Sequence, residues 1–246
     1  MSGFSVLVRR EYALGFRSPL AWVLLVGFHL FHGLAWRSLV GDWQEAARRA
    51  TRLGGSPPPP FAEAVLEPYF LSLVFSLLLF TPFVTMRLGA EERRTGFEDL
   101  LRSLPVSARD VIAAKLAYAA GLVAALVGPS VALPLALVGV APVEPGVLLA
   151  GALGASLCGL VLVSLGVWAS SLTESQAVAA VLALTLALAL FFGDRFFSLA
   201  EWISLRLTHE PFGRGVVTLR GLVWFGFLAA AFSVWSWVLF RDRRAS

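Results

Sequence analysis

Two groups of residues in this sequence could do chemistry. The first is a dense run of opposed charges, Glu91, Glu92, Arg93, Arg94, Glu98, Asp99 and Arg102, inside the stretch MRLGAEERRTGFEDLLRSLP at 86–105. Such a run could present a shaped surface to a soluble partner, or it could keep a connecting loop soluble. The second is His29 and His32, which lie three apart and so share one helical face. They could line a pathway; as a metal site they lack a third ligand, and histidines hydrogen-bonded at a helix interface are the commoner case. Ser72, Ser76, Ser156 and Ser164 would serve intramembrane proteolysis only with a basic partner at matching depth, and none is evident. No residue is therefore assigned as catalytic and none as a metal ligand.

The elements that must position these residues are membrane helices. The chain has 246 residues, 58% hydrophobic and 15% charged, against roughly half apolar and a quarter charged in a soluble domain. The excess lies in uncharged runs long enough to cross a bilayer as helices. Six spans are expected, at roughly 19–36, 69–86, 112–138, 147–171, 176–193 and 221–240. Pro129 and Pro134 in the third predict a tilted or broken helix. The expected fold class is an all-α polytopic membrane protein forming a single transmembrane domain over 1–246. The first span is preceded by basic residues, but its end, GLAWRSLVG, is a poor cleavage site, so it is expected to stay as an uncleaved helix.

Charge placement sets the expected orientation. With the N-terminus inside, the inner side collects 12 of the 20 basic residues and the outer loops hold eight. Both termini are expected on the cytoplasmic side of a cell (inner) membrane. These basic residues flank spans and form no stripe, so nucleic acid is not an expected partner. The single cysteine, Cys158, excludes a disulfide within this chain.

In the N-terminal stretch FSVLVRREYALGFR, Phe4, Leu7, Val8 and Tyr12 fall on one face, with Arg9, Arg10 and Arg17 elsewhere. That pattern suits a helix lying in the headgroup layer. The SPPPP run at 56–60 is a stiff spacer. Gly151, Ala155 and Gly159 recur every four residues, a face that lets helices approach closely. No Asp or Glu lies in the central part of any span. A protein that couples transport to an ion gradient needs such groups, so energy for any uphill movement is expected to enter from elsewhere.

In the charged stretch, Phe97, Leu100, Leu101 and Leu104 recur at helical spacing up to Pro105, with Glu98, Asp99 and Arg102 on the other side. Ser107 is an expected N-cap for the next helix, with Asp110 at its third position. The stretch is thus a compact amphipathic element whose apolar face could lie on the membrane. Residue chemistry alone leaves open whether it docks a partner or is a salt-bridged, positive-inside loop.

MRLGAEERRTGFEDLLRSLPVSARDVIAAK resembles the cytoplasmic loop of ABC-2 type permeases, the membrane subunits of ATP-binding-cassette transporters. Met86, Arg87, Glu91, Glu92, Arg93, Arg94, Gly96, Glu98, Leu100, Leu101, Pro105, Val106, Ser107 and Lys115 match that family's pattern, while Phe97 replaces its usual Thr and Ala114 its usual Gly. RREYALGFRSPLAWV fits the family's opening, and Ser204 with PFGRGVVTLRGLVWF at 211–225 is similar to its gliding-motility-type branch.

The resemblance implies a six-helix permease, an exporter in expectation, working as a homo- or heterodimer in the lipid bilayer with separate nucleotide-binding ATPase subunits. ATP and Mg would sit on those partners, with no cofactor on this chain, which lacks any GxxxxGK[ST] motif and is not expected to be an enzyme by itself. The coupling residues implied are Glu91, Glu92, Arg93, Arg94, Gly96, Phe97, Glu98, Leu100, Leu101 and Pro105. Reversing Glu92 to Lys is expected to abolish transport while leaving the protein in the membrane. Residues 194–220 are expected to hold outer re-entrant helices, with Phe196, Phe197, Trp202 and Phe212 as a candidate gate. A scaffold or assembly factor without a transport cycle is the alternative. The apolar spans suit a lipid-like, peptide or hydrophobic cargo without choosing among them.

Overall fold

The structure is a computed structural model describing residues 3–53, 57–103, 106–196 and 202–245. Pro105 and Phe197, named above, lie outside the described residues. The described chain is almost entirely helical, and six of its helices are long and apolar enough to cross a membrane.

Helix α1 spans Gly3–Arg17 and α2 Pro19–Leu53. Pro19 disfavours helical geometry at Ser18 and has no N–H to donate, which separates the two helices. At 35 residues α2 far outruns the span expected over 19–36. It measures about 52 Å at 1.5 Å per residue, against a hydrocarbon core of about 30 Å. Its polar extension runs through QEAARRA at 44–50, a stretch of good helix formers, and carries the Glu45–Arg49 pair one turn apart. The proline run returns beside it: Trp43 Nε1 donates to the Pro59 carbonyl at 3.0 Å, and Trp36 and Trp43 both pack their rings on Phe61.

A π-helical turn at Ala62–Leu66 leads into α3, Glu67–Thr85. Helix α4, Arg87–Arg94, follows through Met86, which keeps helical dihedrals of φ −53° and ψ −26°. The charged arm is therefore an extension of the second span. Gly96, at φ +70°, supplies the left-handed residue that reverses the chain into α5, Phe97–Ser103.

Helix α6, Ala108–Leu135, begins at the expected cap, with Asp110 N–H donating to Ser107 Oγ at 3.0 Å. Despite Pro129 and Pro134 it is one uninterrupted helix. Pro134 lies in its last turn, and Ala136 caps it before Gly139 turns the chain with a positive φ. Helices α7, Pro145–Leu172, and α8, Gln176–Phe192, are joined by a three-residue turn in which Ser175 caps α8. A short 3-10 turn at Gly193–Arg195, helix α9 at Leu205–Gly213 and helix α10 at Leu219–Ala245 complete the chain.

Helix α7 is the central post, packed by α3, α6, α8, α9 and α10. Its expected small-residue face works as hosting rather than bare backbone contact. Gly151 receives the Phe70 ring, Ala155 is fully buried, and Gly159 receives Val123 from α6 and Leu77 from α3. At the end of the bundle holding both termini, Leu7 of α1, Leu101 of α5, Val111 and Ile112 of α6 and Phe240 of α10 form a second apolar cluster.

At the opposite end α9 is pinned against the bundle. Phe212 is fully buried beside Phe225, and His209 is buried with it, its pKa pushed down to about 4 because burial penalises the charged form. Arg214 bonds Glu67 at 2.9 Å. Ser204 caps α9 and also donates to Asp194 Oδ1 at 2.8 Å, while Arg206 pairs with the same carboxylate.

Candidate functional site

The charged stretch folds into a set of inward ion pairs. Glu92 of α4 is the centre. Its Oε2 lies 2.6 Å from Lys115 Nζ of α6, and its Oε1 accepts from Arg10 Nη1 of α1 at 2.8 Å. Arg10 Nη1 also bonds Glu11 Oε1 at 3.0 Å, and Lys115 Nζ stands 3.7 Å from that same oxygen. Lys115 donates in addition to the Leu88 carbonyl. Two acids and two bases from three helices thus balance to zero in a site where Glu11, Glu92 and Lys115 are all buried. Buried charges are stable only when paired and hydrogen-bonded, as these are. Burial nevertheless raises the Glu11 pKa above the usual carboxylate value, with nearby Glu92 adding to the rise and Lys115 and Arg10 opposing it.

A second set ties the arm to the α7–α8 turn. Arg93 Nη1 donates to the Ser171 carbonyl at 3.1 Å, and its guanidinium lies 3.7 Å from Glu174 and 3.6 Å from Glu98. Gly89 permits this approach: a Cβ there would stand 2.8 Å from the Ser170 carbonyl oxygen. Arg87 and Glu91 form a half-exposed pair at 3.0 Å on the other side of α4.

These positions revise the face expected for α5. Glu98, expected outward, is buried, whereas Leu100, expected on the apolar face, is 52% exposed. Phe97 and Leu101 do turn inward, but against the terminal-end cluster rather than a membrane surface. The Arg10 guanidinium lies over the Phe97 ring at 4.0 Å. Among the described residues, Arg94, Thr95, Gly96, Leu100 and Ser103 face outward from the element. Reversal of Glu92 would therefore place a third cation against Lys115 and Arg10.

Glu11 and Arg10 were not among the residues singled out from sequence. The signal was present: Glu11 sits four residues after Leu7, on the face α1 buries. A carboxylate on an apolar stripe requires a buried cation, and Lys115 at the start of α6 supplies it.

The other named residues are dispersed. His29 Nε2 bonds the Ala125 carbonyl at 3.1 Å, while His32 is fully buried among Phe28, Phe31 and Tyr69. Neither His32 nitrogen has a hydrogen-bond partner among the described residues. Of the candidate outer residues, Phe196 and Trp202 are exposed, Trp202 under the Arg220 guanidinium at 4.7 Å, and Phe212 is buried.

Six apolar helices, with α7 as their central post and an ion-paired extension of the second span at one end, define a polytopic membrane protein. The sequence profile of the ABC-2 type transporter family matches residues 2–201, and the chain belongs to that family. It is a membrane permease of an ATP-binding-cassette transporter. Among curated proteins none matches the sequence.

Proposed function

We propose that the chain is the permease of an exporter driven by a separate cytosolic ATPase, and that α4 and α5 are the element on which the ATPase pushes. The observation that carries this reading is the junction of α4 with three other helices. Glu92 joins it to α1 and α6, and Arg93 joins it to α7 and the α7–α8 turn. Because α4 continues α3 through helical dihedrals, a load on the arm would reach the second span as a rigid lever.

In this reading the terminal end is cytoplasmic, consistent with its share of basic residues. Two permease chains, identical or related, would pair with two ATPases, each ATPase holding ATP and Mg. The distal segment 211–225 lies beyond the matched residues 2–201 and supports the gliding-motility-type branch through its similarity alone. Arg94 and Leu100 would touch the ATPase, while Glu91, Glu92, Arg93, Gly96, Phe97, Glu98 and Leu101 would hold the element in shape. Residues 202–213 at the far end would border the exit.

The experiment is purification of the chain in mild detergent from its native membranes, wild type beside Arg94→Glu and Leu100→Asp, with ATPase activity measured on the eluate. An ATPase that copurifies with wild type and is released by both substitutions supports the reading. Absence of any ATPase under conditions that keep other complexes intact favours a scaffold.

A further inference from the structure

Beneath α1 the bundle holds a cavity of about 230 Å³ that the ion-pair network borders but does not fill. It lies between α1, the first turns of α2 and the α3–α4 rod. Its lining changes character along that rod. Phe83 and Val84 stand at one end and Arg87 and Glu91 at the other, eight residues and about 12 Å apart. Leu20 and Leu24 of α2 complete the apolar wall. Leu20 and Phe83 are more than 40% exposed on membrane-crossing helices, so the mouth opens to the bilayer.

Trp22, half exposed one turn into α2, donates to the Phe16 carbonyl at 2.8 Å, the position of an interfacial anchor. The polar end of the cavity is therefore at headgroup depth and the apolar end at acyl-chain depth.

The charges at the polar end are only partly used. Arg87 donates from Nε to Glu91 Oε2, and no acceptor among the described residues meets its two Nη groups. Glu91 Oε1 likewise receives no donor among the described residues. A fork of N–H donors recognises phosphate, and a free carboxylate oxygen one turn away recognises a primary ammonium.

We propose that this cavity binds one phospholipid whose headgroup carries both a phosphate and a primary ammonium. Phosphatidylethanolamine carries both groups and, unlike phosphatidylserine, brings no further carboxylate toward Glu11, Glu91 and Glu92 at the polar end. The phosphate meets Arg87, the ammonium meets Glu91, and an acyl chain runs along Leu24 and Phe83. The lipid wedges α1 against the second span beside the Arg10–Glu92 pair, so the site would make the permease sensitive to the lipid around it.

The test uses the purified full-length chain without any ATPase, delipidated in detergent, so its outcome is independent of the docking surface. Native mass spectrometry would measure binding of phosphatidylethanolamine, phosphatidylcholine and phosphatidylglycerol at equal concentrations. Wild type is expected to retain one ethanolamine lipid per chain in preference to the other two. Arg87→Ala should weaken that binding about tenfold, the scale of one charge-assisted hydrogen bond. Glu91→Gln should bring the ethanolamine lipid down to the level of phosphatidylcholine. Leu20→Trp, which narrows an exposed rim without touching a charge, should also lower it. Equal binding of all three lipids by wild type would overturn the proposal, as would unchanged preference in the two charge variants. Displacement of the lipid by soluble phosphoethanolamine at equal concentration would also overturn it, by showing a site for a free headgroup rather than for a membrane lipid.

Discussion

Lys115 Nζ of α6 sits 2.6 Å from Glu92 Oε2 of α4, and both side chains are nearly withdrawn from solvent. One bond thereby joins the charged arm after the second span to the first turns of the third. Glu92 also holds Arg10, and Lys115 also faces Glu11, so removal of either central residue leaves a buried charge unmatched. Lys115→Met is expected to destabilise the protein by about 3–5 kcal/mol, the scale for breaking a buried pair from one side. Cys158 is the single cysteine and is fully buried, so its alkylation by a maleimide on heating reports the change directly.

Substitutions on the two faces of the arm should separate folding from coupling. Arg94→Glu and Leu100→Asp alter exposed positions and should leave the Cys158 alkylation midpoint unchanged while lowering transport and ATPase copurification. Glu92→Lys, in contrast, should lower the amount of folded protein in the membrane, measured by fluorescence-detected size exclusion. Equal expression of Glu92→Lys and wild type would count against the buried strut.

Glu11 gives the network a pH signature. Burial raises its pKa in the folded chain above the unfolded value of 4.5. The folded state then holds the proton more tightly than the unfolded state, so the contribution of Glu11 is most favourable below pH 4.5. It is lost as pH rises through the raised folded value. Wild type should lose stability across that window relative to Glu11→Gln, in which the dependence is absent. Alkylation midpoints taken from pH 4.5 to 7.5 test the difference.

Glycines test the close approach of α4 to α7. Gly89→Ala places a methyl group against the Ser170 carbonyl, a backbone atom that cannot turn aside, so α4 must shift and Arg93 must lose its bond to Ser171. Gly33→Ala meets nothing within 4 Å and is the control. The first should lower both the alkylation midpoint and transport, and the second should change neither.

Hydropathy alone placed six helices, because a bilayer demands about 20 apolar residues per span whatever their partners. The Ser107 cap was equally local, decided by a hydroxyl three residues from an N–H. The length of α2 was missed because hydropathy stops where charge begins, whereas helix propensity does not.

What the sequence could not decide was the facing of each charge. A seven-residue helix such as α5 has too few positions for its period to say which side is inside, and Glu98 and Leu100 exchanged their expected places. Nor could local pattern pair Arg10 with Glu92, 82 positions away. Sequence therefore determined the spans and the helix cap, each governed by neighbours within a few positions. Tertiary structure decided which charges are struts and which are surface, because a charge is buried only where packing brings its counter-charge within hydrogen-bond reach.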